Sequence, residues 1–187
     1  MTLPDLLVLH ALRCIGFAGL PRIAAATGLP ESDVESELID LAVAGLVTHV
    51  PGGWGLTEAG RAADAVRIAA ELDSRKAAVS QAYERFLLLN PELLDLCTAW
   101  QLRSVTDPAA ERRVLGLLAD LDRRAAVVCA DLAAALPRFG RYRVRLAGAL
   151  ARVHAGDLDY VTDNFEAYHT VWFQLHEDLL ATLGIPR

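Results

Sequence analysis

Apolar positions recur every three or four residues along most of this chain, and the period changes in one short stretch only. In residues 4–17, Leu7, His10, Ala11 and Cys14 share a helical face, and Pro4 suits an early helical position, where its missing N–H costs nothing. Gly19 and Pro21 punctuate the chain. The segment PRIAAAT, 21–27, predicts a short second helix ending at Gly28. Residues 31–44 predict a third, with Val34, Leu38, Leu41 and Ala42 facing inward and Gly45 at its end. Then the helical period lapses. VTHV, 47–50, predicts a short strand, Pro51-Gly52-Gly53 turns the chain, and Trp54-Gly55-Leu56 returns it as a second strand. Thr57 is placed to cap a helix that starts at Glu58.

From residue 58 the pattern is helical throughout. A first helix runs to about Leu89, and Asn90-Pro91-Glu92 then reads as a new start: a capping side chain, a proline with no donor to lose, and an acid at the positive end of the dipole. The helix it opens carries Leu93, Cys97 and Trp100 on one side. Asp107-Pro108 repeats the signal, and Val114, Leu118, Leu121, Ala125, Val128, Leu132 and Ala135 follow in alternating steps of four and three, the seam of a helix packed in a bundle. Pro137 closes that helix, another spans 140–154 before Gly156, and a last one spans 163–183. Its seam is Phe165, Tyr168, Trp172, Leu175 and Leu179, lapsing at Thr182. The expected fold is mainly α: an N-terminal winged helix-turn-helix over residues 1–66, then an α-helical bundle over 67–187.

Residues 19–61 resemble the winged-helix regulators of the MarR-like class, on PRIAAATGLPESDVESELIDLAVAGLV followed by GWGLTEAGR. The resemblance covers about the first third of the chain. It implies a homodimeric DNA-binding transcription regulator whose third helix enters the major groove while the wing touches the backbone. On that reading Arg22, Ser32, Asp33, Ser36 and Arg61 face double-stranded DNA, and the bundle supplies dimerisation and an effector pocket.

Charge pulls the other way. The net charge is −6, and residues 1–66 hold eight acidic side chains against three basic ones, Arg13, Arg22 and Arg61. The exposed start of the third helix reads Glu31, Ser32, Asp33, Glu35, Ser36, and the wing tip has no Lys or Arg. Carboxylates accept from cytosine but repel phosphate. The alternative is an adaptor or regulatory subunit that uses an acidic winged helix for protein contacts. Hydrophobic residues make up 53% of the chain, without an apolar run of membrane-spanning length. The N-terminus lacks signal-peptide character, and Cys14, Cys97 and Cys129 are odd in number and far apart. A cytoplasmic protein with neither disulfide framework nor CxxC metal site is expected.

In the helical part, His169, Trp172 and His176 project from one side of the last helix, with Tyr168 at the flank and the Trp100 helix as a facing wall. They suit a small aromatic or anionic effector; packed structural histidines are the plainer alternative. The two histidines are about 10.5 Å apart along a helix, long for one metal. His176-Glu177 has no second histidine at zinc-protease spacing, and Glu166-x-x-His169 has no matching second half. No catalytic residue, metal or cofactor is expected, and an enzyme is not. Arg138, Arg141, Arg145 and Arg152 form the densest basic cluster, either an anion site and counter-ion for the effector or a solvated face paired with acids such as Asp157 or Asp159.

Overall fold

The computed structural model describes residues 2–104 and 106–186. Among the described residues, eight α-helices and one antiparallel hairpin follow one another as α1 (Pro4–Ile15), α2 (Leu20–Thr27), α3 (Glu31–Val43), β1 (Val47–Val50), β2 (Gly53–Leu56), α4 (Glu58–Leu72), α5 (Lys76–Leu102), α6 (Pro108–Ala135), α7 (Gly140–His154) and α8 (Tyr168–Leu183). Short 3-10 turns occupy Asp73–Arg75, Pro137–Phe139 and Leu158–Tyr160. Among the described residues the hairpin is the only sheet, and no helix is long and apolar enough to cross a membrane.

Two apolar clusters organise the chain. Val8, Leu9 and Leu12 of α1, Ile23 of α2, Val34, Leu38 and Leu41 of α3 and Val47 of β1 make the first. The second is larger and runs from Leu72 to Leu179 through α5, α6, α7 and α8. The hairpin joins the first cluster through backbone bonds as well as side chains: Trp54 N–H donates to Ala18 O at 2.8 Å, and Ala18 N–H to Trp54 O at 3.0 Å. Gly53 permits this contact, because a Cβ there would stand 2.4 Å from the Ala18 carbonyl oxygen. Thr57 caps α4 as expected, its Oγ1 accepting from Gly60 N–H at 2.9 Å and donating to Gly45 O at 2.8 Å. Gly60 lets α4 sit hard against the loop before β1, since a Cβ would lie 1.9 Å from Leu46 O.

The bundle departs from the sequence reading in three places. The helix expected to run from 58 to about 89 breaks early, at the 3-10 turn Asp73–Arg75, and α5 then continues through Pro91 instead of starting there. Pro91 removes one backbone bond and costs on the order of 3 kcal/mol. Phe86 and Leu89 before it, and Leu93, Leu96 and Cys97 after it, are all buried on one stripe. That stripe holds the helix together at a cost local propensity alone would not bear. Asn90 is no cap: its Oδ1 accepts from Trp172 Nε1 at 3.0 Å, and Glu92 forms a two-pronged pair with Arg124. The last helix begins at Tyr168 rather than 163, leaving Phe165 half-exposed in a turn. The α6 seam is buried along its whole length, as its period requires.

Candidate functional site

The two apolar clusters meet where α1 and α4 lie against α8, and the contact there is ionic. His10 sits mid-way along α1, fully buried. Its Nδ1 is 2.9 and 3.1 Å from the two Asp64 carboxylate oxygens of α4, and its Nε2 is 3.0 Å from Asp178 Oδ1 of α8. Asp178 is itself completely enclosed. Arg138 Nη1 and Thr182 Oγ1 donate to its Oδ1 at 2.6 and 3.0 Å. Arg141 Nη2 and the Tyr142 hydroxyl donate to its Oδ2 at 2.8 and 2.9 Å. Arg138 Nε closes the far end on Glu71 Oε2 of α4 at 2.7 Å. Cys14, one turn beyond His10, places Sγ 3.7 Å from His10 Nε2.

The electrostatics follow from this enclosure. Burial drives the Asp178 carboxyl upward, but Arg138, His10 and Arg141 more than reverse it and hold Asp178 ionised, well below the usual carboxylate range. Burial likewise disfavours the His10 imidazolium. The charges of Cys14 and Asp178 and the bonds to Asp178 and Asp64 outweigh it, keeping the pKa well above that of a free histidine. Ion pairs thus join His10, Arg138 and Arg141 to Asp64, Glu71 and Asp178 in one buried network. Arg141 Nε and Nη1 remain buried without a hydrogen-bond partner. Beside Cys14 a hollow of about 440 Å³ opens, lined also by Arg13, Gly16, Glu177, Leu180 and Ile185.

This site absorbs two of the four arginines in the cluster. Arg138 and Arg141 are interior residues, not a solvated face. Arg145 forks onto Glu166 at 2.9 and 2.6 Å and also reaches Gln174 Oε1 at 2.7 Å. Arg152 alone matches the solvated reading, pairing with Asp157 at 3.1 Å in the open. Arg143, on the opposite side of α7 from Arg141 and Arg145, forks onto buried Asp122 at 2.8 and 2.9 Å.

The expected effector stripe is packed. Tyr168 is buried and donates its hydroxyl to Asp122 Oδ1 at 3.1 Å. Trp172 is buried and stacked on Phe86, ring centroids 4.5 Å apart. His176 is half-buried beside Phe86 and Tyr83, whose hydroxyl is 3.4 Å from Nε2. His169 is half-buried, and burial lowers its pKa. The facing wall does belong to α5, but it is built from Tyr83, Phe86 and Asn90. Trp100 lies about 15 Å further along that helix. There it is buried under the Arg103 guanidinium, 3.2 Å from the ring centroid. The hollow beside Cys14 and four others of about 270–390 Å³ are lined by neither His169 nor His176.

On α3, Ser32, Asp33 and Ser36 are exposed, together with Glu31, Glu35, Asp40, Ile39 and Val43. Ser32 Oγ donates to Asp33 Oδ1 at 3.2 Å. Glu37 is raised by burial and by the charges of Asp5, Asp40 and Asp33. Arg61 is exposed, whereas Arg22 is half-buried with an enclosed, unpartnered Nε.

Sequence reasoning placed His10 and Cys14 on one helical face but gave them no role, and passed over Asp64 and Asp178. The signal was a polar residue in an apolar row: Asp64 precedes Ile68 and Leu72 at steps of four, and Asp178 falls between Leu175 and Leu179. A charge in such a row is buried, and a buried charge has partners. No family model matches this chain, and neither the curated proteins nor the solved structures give a match.

Proposed function

We propose that residues 1–66 form a winged helix-turn-helix of the MarR-like kind and that the chain is a homodimeric, DNA-binding transcription regulator. One observation carries the reading: α2, a tight turn at Gly28 and α3 share a small apolar core with a hairpin pinned at Ala18–Trp54, leaving the outer face of α3 in the open. Ser32, Asp33 and Ser36 on that face would read base edges, with Arg22 and Arg61 on phosphate. The bundle offers exposed leucines for self-association, Leu88, Leu94 and Leu117 among them. An aromatic or anionic effector at the stripe would reach the half-buried edges of His169 and His176. It would touch Trp172 and Tyr168 only if α8 parted from its neighbours, and Trp100, about 15 Å further along α5, would stay out of its reach.

The reading has a quantitative signature. Arg22 and Arg61 give each half-site two phosphate-neutralising cations, so a dimer releases few counterions. The logarithm of its affinity should fall against the logarithm of salt with a slope of about −3 to −4. Fluorescence anisotropy with genomic fragments across a salt series measures this. Sequence preference with a shallow slope supports the regulator.

A second reading is favoured by a specific feature. Val43 and Ile39 are exposed on α3 beside Glu35 and Asp40, an apolar and acidic surface that matches a basic protein partner better than a phosphate backbone. Absence of DNA retention at low salt would establish this adaptor reading over the first.

A further inference from the structure

The junction holds three side chains of metal-ligating type whose ligand atoms lie within 4.8 Å of one another: His10 and Cys14 of α1 and Asp178 of α8. We propose that His10, Cys14 and Asp178 form a binding site for a divalent transition-metal cation of the zinc kind, with Asp64 orienting the imidazole from behind.

Geometry comes first. Tetrahedral zinc with ordinary bond lengths separates a nitrogen from a sulfur ligand by about 3.5 Å and a nitrogen from an oxygen ligand by about 3.3 Å. The corresponding separations are 3.7 Å for His10 Nε2 to Cys14 Sγ and 3.0 Å for His10 Nε2 to Asp178 Oδ1. Shifts of a few tenths of an ångström suffice. His10 and Cys14 are one helical turn apart, so their side chains project together from α1, and α8 supplies the third ligand. Imidazole, thiolate and carboxylate are all recognised zinc ligands. A metal-bound histidine normally gives its other ring N–H to a carboxylate, and His10 Nδ1 already has Asp64 there. Cys14 lines the hollow, so the sulfur side of the site faces an opening.

Arg138, Arg141, the Tyr142 and Thr182 hydroxyls, Asp64 and Glu71 surround the three ligands. With a divalent cation held through a Cys14 thiolate, two metal charges and two arginines balance Asp64, Glu71, Asp178 and the thiolate, so the occupied site would leave no net charge in the interior.

The proposal is independent of DNA binding: a chain that ignores DNA would still take the cation. The test uses the full chain stripped with a chelator and titrated with Zn²⁺ against a chromophoric competitor. One tightly held Zn²⁺ per chain is expected, and Co²⁺ in its place should give a thiolate-to-metal charge-transfer band. Cys14→Ser should abolish that band and weaken Zn²⁺ binding, whereas Cys97→Ser should change neither. Asp64→Asn should keep the band but bind about 10- to 100-fold more weakly. Should Cys14→Ser misfold, the wild type answers instead: Zn²⁺ must slow alkylation of Cys14 mapped by mass spectrometry. Failure to retain Zn²⁺, a charge-transfer band that survives Cys14→Ser, or Cys14 alkylation indifferent to Zn²⁺ would each overturn the site.

Discussion

The outer face of α3 and the α1–α4–α8 junction are built from the same acidic residue types, and they behave in opposite ways. On α3, burial and then the charges of Asp5, Asp40 and Asp33 raise the Glu37 carboxyl. At the junction, Asp178 has Arg138, His10 and Arg141 around it, and its carboxyl is lowered although burial works against it. Neighbours, not composition, decide what a carboxylate does. The net charge of the first third, which bears on DNA affinity, is therefore a poor guide to its interior. Asp64 counts among that region's acids yet is buried against His10.

The sharpest way to break this contrast is to remove the centre of the junction. Asp178→Ala strands two buried guanidinium groups and an imidazolium. Losing one partner of a buried ion pair costs about 3–5 kcal/mol, so urea unfolding should show at least that loss. A loss under about 1 kcal/mol would mean that water replaces the carboxylate and the junction is not sealed.

The pH dependence comes next. The Asp178 pKa is lowered on folding, so its contribution is complete above about pH 4, the unfolded value, and is lost as pH falls through the folded value. The His10 pKa is raised, so its contribution is complete below about pH 6.5 and is lost as pH rises through the folded value. Denaturation midpoints in chelator should therefore decline on the alkaline side, and His10→Gln should be less stable with a flatter alkaline limb. An identical limb in the variant would assign the decline to another group.

Pro91→Ala tests the other place where packing overrules local preference. Restoring a backbone donor inside α5 should stabilise by about 1 kcal/mol or more, read as a raised thermal midpoint. A loss of stability would show that the proline shapes the helix to fit α6. The smallest effect belongs to α3. Asp33→Asn should change stability by less than about 0.5 kcal/mol. It should preserve or tighten DNA binding, and weaker binding in anisotropy would mean that Asp33 contacts a base.

The hairpin, the caps at Thr57 and Asp107 and the α6 seam were legible because each depends on residues close in sequence. Asn90-Pro91 misled for the same reason: read locally it is a helix start, yet the Asn90 side-chain oxygen accepts from the indole N–H of Trp172, which is 82 positions away. Asp73–Arg75 breaks the helix with neither glycine nor proline to mark it. The junction was invisible to spacing because His10 and Asp178 are 168 positions apart, and only the fold brings them together. Arg138 and Arg141 stand out in the sequence as a cluster, but the acids they meet cannot be read from neighbouring segments. The one clue within reach was Thr182, where the α8 seam lapses; its hydroxyl accepts from Arg138 and donates to Asp178.

That separation of 168 positions has a meaning in time. Ribosomes add about 5–20 residues each second, so His10 emerges roughly 8–34 s before Asp178 is made. Through that interval the small N-terminal core can assemble and Asp64 can reach His10, but the carboxylate that completes the junction does not yet exist. Arg138 and Arg141 precede it by only 40 and 37 positions. Until α8 arrives the two arginines lack the carboxylate they share, and α8 is the piece that seals α1.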